Sequence, residues 1–299
     1  MAQPKVVATI GMVAEPASRI AAACAQVETM MGAGIDPHLY QPSAGDIRDM
    51  SEADAILYAG HNLEGQLGAV LGKLSGRVPI LAVSEAAAPA EELIASEEAD
   101  YPDPHLWMDA ALWSGIAPPI AEVLADMEES CAEAPARAEA LVAEFTALDG
   151  WIKQSMASIP EESRVLVTAH DAFAYYGRAY GLEVLGIQGV STEGEAGIAD
   201  IRRIVDLVVK RDIPAIFLES TINPRTVQAV IAAAVERGHT LTLGGELFSD
   251  AMGEPGTATG TYIGMLHSNT LSVVTALGGT PAPLPEGLAD WAARWDLDS

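Results

Sequence analysis

Two copies of one tripeptide place histidines where they can bind a metal ion. Asp36–His38 and Asp103–His105 both read Asp-Pro-His, in a chain that has 6 histidines. Each proline fixes its own φ and holds the preceding aspartate in an extended conformation, so each histidine follows a stiff turn. Such placement suits a metal ligand, although Asp-Pro is also an ordinary turn starter that closes loops.

Two further side chains with metal-binding chemistry follow predicted strands in the second part of the chain. His170 follows the apolar run Val165–Thr168 with one alanine between, and Asp250 comes after a predicted strand that ends at Leu243 and a Gly-Gly pair. Open α/β sheets bind ligands at the carboxyl ends of their strands. We therefore predict that both side chains lie near a ligand site.

The elements that must position these residues indicate an α/β fold. Short apolar runs alternate with helical patterns in both parts of the chain, which is typical of parallel sheets flanked by helices. Helices are predicted over Glu15–Thr29 and Ile198–Lys210. The predicted strands are Val6–Ile10, Ala55–Tyr58, Ile80–Val83, Val165–Thr168, Val184–Ile187, Ala215–Leu218 and Thr240–Leu243.

A long amphipathic pattern separates the two sets of strands. Apolar residues recur every three or four positions from Leu141 to Ile159, which predicts one helix from about Ala134 that ends at Pro160. At 1.5 Å per residue this helix is roughly 40 Å long, enough to run from one lobe to another. Gly150 lies inside it and permits either a bend or a close packing contact. We predict an N-terminal lobe over 1–133, a linking helix over 134–160 and a C-terminal lobe over 161–299.

Composition excludes several classes of protein. The chain has 42 acidic and 16 basic residues, a net charge of −26, so most of its surface repels nucleic acid. Its apolar runs fall short of the roughly 18 residues that a membrane-spanning helix requires. The sequence enters a strand soon after Met1 and shows no signal peptide, and we expect that one has been removed.

The two cysteines leave two possibilities open. Cys24 and Cys131 have neither the C-x-x-C spacing of a redox motif nor the spacing of a zinc knot. They can form one disulfide in an oxidising compartment or remain as two inert thiols. Both fall in helical patterns and nothing in the sequence brings their Cα atoms within bridging distance, so we favour the thiols.

Seven stretches in order give the chain a specific resemblance that covers nearly its whole length. They are GIDPHLYQPSAGDI, ADAILYAGHNLE, DPHLWMD, VTAHDAFAYYGRAYGL, GVSTEGEAG, IFLES and GGELFSDAMG. The chain resembles the cluster A-I, or TroA-like, metal-binding subunits of zinc and manganese ABC importers. This resemblance implies two α/β lobes joined by a long helix, an extracytoplasmic location, a membrane permease as partner and one divalent transition metal between the lobes.

The resemblance also implies the ligand set. By motif, His38 and His105 from the first lobe and His170 and Asp250 from the second would bind the metal together. Three imidazoles and one carboxylate suit tetrahedral zinc, whereas manganese favours more oxygen donors, so we expect Zn²⁺ first and Mn²⁺ next. The histidine-rich loop of strictly zinc-specific relatives is absent, which favours manganese. In its place lie Glu91, Glu92, Glu97, Glu98 and Asp100.

The remaining candidates receive lesser roles. We predict that His61, His239 and His267 serve as surface, helix-end and helical residues, and that Trp107 packs beside the site without touching metal. Candidates to orient the imidazoles are Glu193, Glu195 and Glu219.

Two alternative functions were weighed against metal capture. A zinc hydrolase also uses histidines and a carboxylate, but catalytic zinc keeps an open position, and the chain has no H-E-x-x-H, nucleophile elbow or P-loop. A surface adhesin has no independent support in the sequence. We therefore predict a monomeric solute-binding protein with no enzymatic activity.

Overall fold

The computed structural model describes residues 3–96 and 100–297. Strands and helices alternate as predicted, and the longest helix separates an N-terminal half from a C-terminal half. The strands are β1 Lys5–Ile10, β2 Gln26–Met31, β3 Ala55–Tyr58, β4 Ile80–Ala82, β5 Val165–His170, β6 Glu183–Gln188, β7 Ala215–Glu219 and β8 Thr242–Leu247. The α-helices are α1 Gly11–Ala21, α2 Ala44–Glu52, α3 Gly68–Leu74, α4 Val83–Ala87, α5 Ala110–Trp113, α6 Ala117–Met127, α7 Ala134–Met156, α8 Ala174–Tyr180, α9 Ile198–Arg211, α10 Arg225–Glu236, α11 Tyr262–Ala276 and α12 Ala289–Arg294.

The two halves use the same strand order. In the N-terminal half, four parallel strands are arranged β2-β1-β3-β4. In the C-terminal half, β5 pairs in parallel with β6 and β7 with β8, while β5 lies beside β7. The first strand of each half is therefore central. Because β1 and β5 are almost entirely buried, both read as continuous apolar runs in the sequence.

One predicted helix was wrong. The pattern over Glu15–Thr29 predicts a single helix, but α1 ends at Ala21 and the next residue has a positive φ of 50°. The chain then turns and forms β2, in which Val27 pairs with Val6 of β1. Pairing with a buried central strand, which a local pattern does not contain, decides the conformation of this segment.

The eighth strand begins and ends later than predicted. The sequence predicts Thr240–Leu243, whereas β8 runs over Thr242–Leu247 and includes the two glycines that follow the predicted strand. A Cβ on Gly244 would lie 2.5 Å from the ring of Phe217. This glycine therefore allows β8 to approach β7 closely, next to a register shift in the pairing of the two strands.

The linking helix forms as predicted. Its apolar stripe from Leu141 to Met156 is buried, and α7 packs on α1 and α6 of the N-terminal half and on α11 of the C-terminal half. Gly150 is exposed, and nothing lies within 4 Å of a Cβ placed on it, so no close contact requires a glycine there. Within the described residues, no helix combines the length and apolarity needed to cross a membrane.

The cysteines form a disulfide, so the prediction of two thiols was wrong. Cys24 lies just after α1 and Cys131 just before α7, and their Cα atoms are 5.2 Å apart. Packing of α1 against α6 and α7 brings the two residues together. The bond therefore joins the end of the first helix to the start of the linking helix.

We expect the disulfide to stabilise the fold substantially. It closes a segment with a sequence separation of 107 residues, and loop-closure entropy for such a length corresponds to about 4–5 kcal/mol. The double variant Cys24→Ala with Cys131→Ala should lower the free energy of unfolding by an amount of this order in a denaturant titration. The parent protein in reductant is the matched control and should unfold at a similar midpoint. Equal stability of the oxidised parent and the variant would contradict this prediction.

Candidate metal centre

Four side chains from the two halves meet at the carboxyl ends of the sheets. His170 is the last residue of β5 and Asp250 follows β8, while His38 follows β2 and His105 follows α4 in the chain. Each offers one ligand atom, and these four atoms lie within 4.8 Å of one another. All four residues are buried. The structure thus brings together the four residues that the sequence motifs single out.

Three distances between ligand atoms are close to the edge of a tetrahedral site, and a fourth is longer, since His38 Nε2 lies 3.9 Å from Asp250 Oδ2. His38 Nε2 lies 3.4 Å from His105 Nε2, which lies 3.3 Å from Asp250 Oδ1. The second Asp250 oxygen is 3.2 Å from His170 Nε2. A tetrahedron with metal–nitrogen bonds of about 2.1 Å has edges of about 3.4 Å. The cluster therefore has the size of one coordination sphere.

Several of these atoms have no protein partner for their hydrogen-bonding capacity. Within the described residues, His170 Nε2 and both carboxylate oxygens of Asp250 are buried and make no aligned hydrogen bond, although they lie close to one another. Buried polar atoms without partners are rare and costly. A cation at the centre of the cluster would satisfy all three, so the residues fit a metal ion.

Carboxylates outside the cluster orient two of the imidazoles. Glu219, the last residue of β7, accepts from the His170 backbone N at 2.7 Å and contacts its Nδ1 at 2.5 Å. Asp103 does the same for His105, at 2.9 Å from the backbone N and 2.7 Å from Nδ1. A carboxylate on Nδ1 fixes the tautomer and directs Nε2 toward the cluster. Of the three predicted supporting glutamates, Glu219 occupies such a position.

The first Asp-Pro-His tripeptide is held differently from the second. Asp36 Oδ1 accepts from the backbone N of His38 at 2.9 Å, as Asp103 does for His105. Its other oxygen accepts at 2.7 Å from the hydroxyl of Thr192, which belongs to the C-terminal half. The sequence repeat gives no sign of this difference, because the partner of Asp36 is 156 residues away.

An aromatic side chain packs beside the cluster, and a cavity lies apart from it. Trp107 packs edge-on against the His105 ring at 5.2 Å and donates its Nε1–H to the Ser249 carbonyl, so it lies beside the cluster as predicted. A separate cavity of about 680 Å³ lies along β6, and the exposed side chains of Glu193 and Glu195 line it. These two glutamates therefore do not support the imidazoles.

Histidines outside the cluster have other surroundings. His61 lies in a tight turn with a positive φ of 48°, and His239 Nε2 lies 2.8 Å from the Ile213 carbonyl oxygen. His267, in α11, stacks on Trp151 at 4.9 Å. None of them joins the cluster. Among the acidic residues that replace a histidine-rich loop, Glu97 and Glu98 lie outside the described residues, and the others are exposed: Glu91, Glu92 and Asp100.

Charges in the cluster set opposing pKa shifts. Burial lowers the pKa of His38 to about 3. Burial also acts to lower the pKa of His105, but the charges of Asp103 and Asp250 outweigh it and raise this pKa to about 9. In the same way Glu219 and Asp250 raise the pKa of His170 well above its ordinary value. Without metal, the protonated imidazoles of His105 and His170 therefore compensate the negative charges of Asp250, Asp103 and Glu219.

Comparison with known proteins decides the family. The family model described as ZnuA, the periplasmic component A of a zinc-uptake complex, matches residues 6–276. The chain belongs to the ZnuA family. The zinc-binding protein TroA of Treponema pallidum is 44% identical over 276 residues, which cover 92% of this chain and 89% of that protein. The manganese-binding lipoprotein MntA of Bacillus subtilis is 41% identical over 276 residues, covering 92% and 90%.

The fold of a solved relative agrees with this membership in the ZnuA family. The structure of the periplasmic zinc-binding protein TroA from Treponema pallidum matches with a TM-score of 0.89 over 92% of this chain and 99% of that one, at 44% identity. The two-lobed α/β architecture with a linking helix is confirmed. ZnuA-family proteins are metal-binding solute-binding components of ABC transporters and not enzymes. The hydrolase and adhesin alternatives are not supported.

We expect metal affinity to rise with pH through the neutral range. His105 and His170 have raised pKa values, so each carries a proton at pH 7 that an incoming metal ion must displace. Affinity should increase from pH 6 through pH 9, because His105, with a pKa of about 9, loses over this range a proton that the metal must otherwise displace. Calorimetry in buffers of different ionisation enthalpy should detect the release of about two protons for each ion bound. Affinity that is independent of pH would contradict this account.

Proposed function

We propose that this protein captures one divalent transition metal ion outside the cytoplasm and delivers it to an ABC permease. The metal is zinc first and manganese next. It binds between an N-terminal lobe over 1–133 and a C-terminal lobe over 161–299, which the helical segment 134–160 joins. The ligands are His38, His105, His170 and Asp250, and the metal is cargo, held without chemical change.

One observation carries the proposal: four buried residues from both halves offer ligand atoms that lie within 4.8 Å of one another, as the ligands of a single metal ion do. Three imidazole nitrogens and one carboxylate oxygen form a donor set of intermediate softness that suits zinc. Four protein ligands leave no vacant position for a reacting water, which agrees with transport rather than hydrolysis. The names of the two relatives divide between zinc and manganese, so both ions belong in the proposal.

The division of ligands between the lobes explains how a permease distinguishes loaded from empty protein. His38 and His105 lie before the linking helix and His170 and Asp250 lie after it. A metal ion that contacts all four stabilises the arrangement in which all four ligands are together, because only there does it have a complete ligand set. The permease would bind this closed arrangement in preference to the metal-free one.

The rest of the proposal concerns partners and location. Relatives described as periplasmic or as lipoproteins favour an extracytoplasmic site of action. The intramolecular disulfide agrees with an oxidising compartment. We propose that the protein works as a monomer and, with a net charge of −26, does not bind nucleic acid.

Replacement of one ligand tests the site. Metal-free parent protein should take up close to one equivalent of Zn²⁺, and His170→Ala should weaken binding by more than about 100-fold, because loss of an outer partner alone costs 10–100-fold. The measurement is calorimetry with a competing chelator. His61→Asn is the matched control: it removes a half-buried histidine outside the cluster while keeping a residue that tolerates positive φ. Parent-like binding by His170→Ala would refute the ligand assignment.

The choice of metal has its own test. Zn²⁺ should displace Mn²⁺ from the purified protein, because this donor set binds zinc more tightly in the usual order of divalent metals. Displacement can be followed by the electron paramagnetic resonance signal of released Mn²⁺. Metal analysis of protein taken from its native compartment then identifies the cargo. Failure of zinc to displace manganese would contradict the zinc-first assignment.

A further inference from the structure

The His105 side of the cluster is fastened firmly to the C-terminal half. Trp107 donates its indole N–H to the Ser249 carbonyl at 2.9 Å, and the Trp107 carbonyl accepts from the Tyr262 hydroxyl at 2.8 Å. Both aromatic side chains are fully buried. These bonds cross from the segment before the linking helix to residues after it, directly beside a proposed ligand.

Two more tyrosines add hydrogen bonds between the two halves on the His105 side. The Tyr175 hydroxyl accepts from the Ile94 backbone N and donates to the Asp103 carbonyl, both at 3.0 Å. The Tyr180 hydroxyl accepts from the Ala110 backbone N at 3.1 Å. Each hydroxyl bonds to main-chain groups. Separation of the two halves on this side would therefore leave several buried polar groups without hydrogen-bond partners at once. The His105 side is therefore the immobile side of the cluster.

The His38 side is less enclosed than the His105 side. Gly32 and Gly34 are exposed at the start of its loop, and nothing lies within 4 Å of a Cβ placed on either. His38 is 5% exposed, whereas His105 and His170 are 0% and Asp250 is 1% exposed. His38 is thus the most exposed of the proposed ligands, and it follows a segment with two exposed glycines.

The bond from Thr192 to Asp36 ties this loop to the opposite half. Its donor and acceptor are 2.7 Å apart, and Thr192 is buried in the loop after β6. Asp36 uses its other oxygen to hold the His38 backbone N. The carboxylate therefore couples the position of His38 to the C-terminal half, and breaking the Thr192 bond frees the ligand to move away.

We propose that the Thr192–Asp36 hydrogen bond is the latch that sets the rate of metal release, with His38 as the first ligand to leave. This inference rests on the proposed function and adds to it the side on which the metal enters and exits. His105, His170 and Asp250 stay in place while the loop over 32–40 opens. Thr192 acts as a positioning residue, since it reaches the metal only through Asp36 and His38.

Dissociation kinetics of Zn²⁺ test the latch. Zinc-loaded protein is mixed with excess chromophoric chelator, and association is measured separately. Thr192→Val keeps the shape and removes the donor, so the dissociation rate should rise about tenfold, as for loss of a hydrogen bond to a charged acceptor, while the association rate does not fall. Thr192→Ser keeps a hydroxyl and should behave like the parent. Thr242→Val removes a hydroxyl bonded to Pro214 within the C-terminal half and serves as control.

The dissociation rates of the variants decide whether the Thr192–Asp36 bond is the latch. A rate for Thr192→Val within twofold of the parent, or an equal rise in Thr242→Val, overturns the latch. Tyr175→Phe cuts two bonds on the immobile side, and a larger acceleration there than in Thr192→Val would place release on the wrong side and also overturn it. If the parent takes up no zinc, the proposed function itself fails. Uptake by the parent with an unchanged Thr192→Val rate refutes the latch alone.

Discussion

The buried carboxylate of Asp250 is the constraint on which the rest of the structure depends. Burying an ionised carboxylate without compensation is prohibitively costly, so the group needs cations or strong donors around it. Three imidazoles surround it, and two of them are themselves held by Asp103 and Glu219. Protons on His105 and His170 compensate the charge in the metal-free state, and a divalent ion would do so in the loaded state. The site therefore exchanges one form of charge compensation for another.

This exchange needs ligands from both halves of the chain, and the fold supplies them by repeating one arrangement. In each half the first strand is central, and the carboxyl ends of the parallel strands lie at the cleft. His170 at the end of β5 and Glu219 at the end of β7 sit on adjacent strands, which is why a carboxylate is present where an imidazole needs one. Rigid strand ends hold these groups more closely than mobile loops would.

Much of this could be predicted from the sequence, because the responsible signals are local. Short apolar runs located seven of the eight strands found in the described residues, the apolar stripe located α7, and motifs with stiff turns or strand ends identified the four residues of the cluster. The failures have one cause. The β2 strand, the Cys24–Cys131 disulfide and the Thr192–Asp36 bond all depend on segments that come together only in the folded chain. The supporting role of Asp103 is the exception, because this residue stands only two positions before His105 in the same tripeptide.

The linking helix α7 is anchored at both of its ends. Near its start the disulfide and Arg137, which donates to the Ile20 carbonyl, attach it to α1. Near its end Trp151 and Ser155 hydrogen-bond to the backbone of Ala282 in the C-terminal half. A helix that is attached to both lobes resists wide hinge opening, because a large rotation of one lobe must either bend the helix or break the contacts at one of its ends. Exchange of a buried ion then has the lowest energetic cost when one loop rearranges locally. The two lobes keep their relative positions in such an exchange and do not rotate apart.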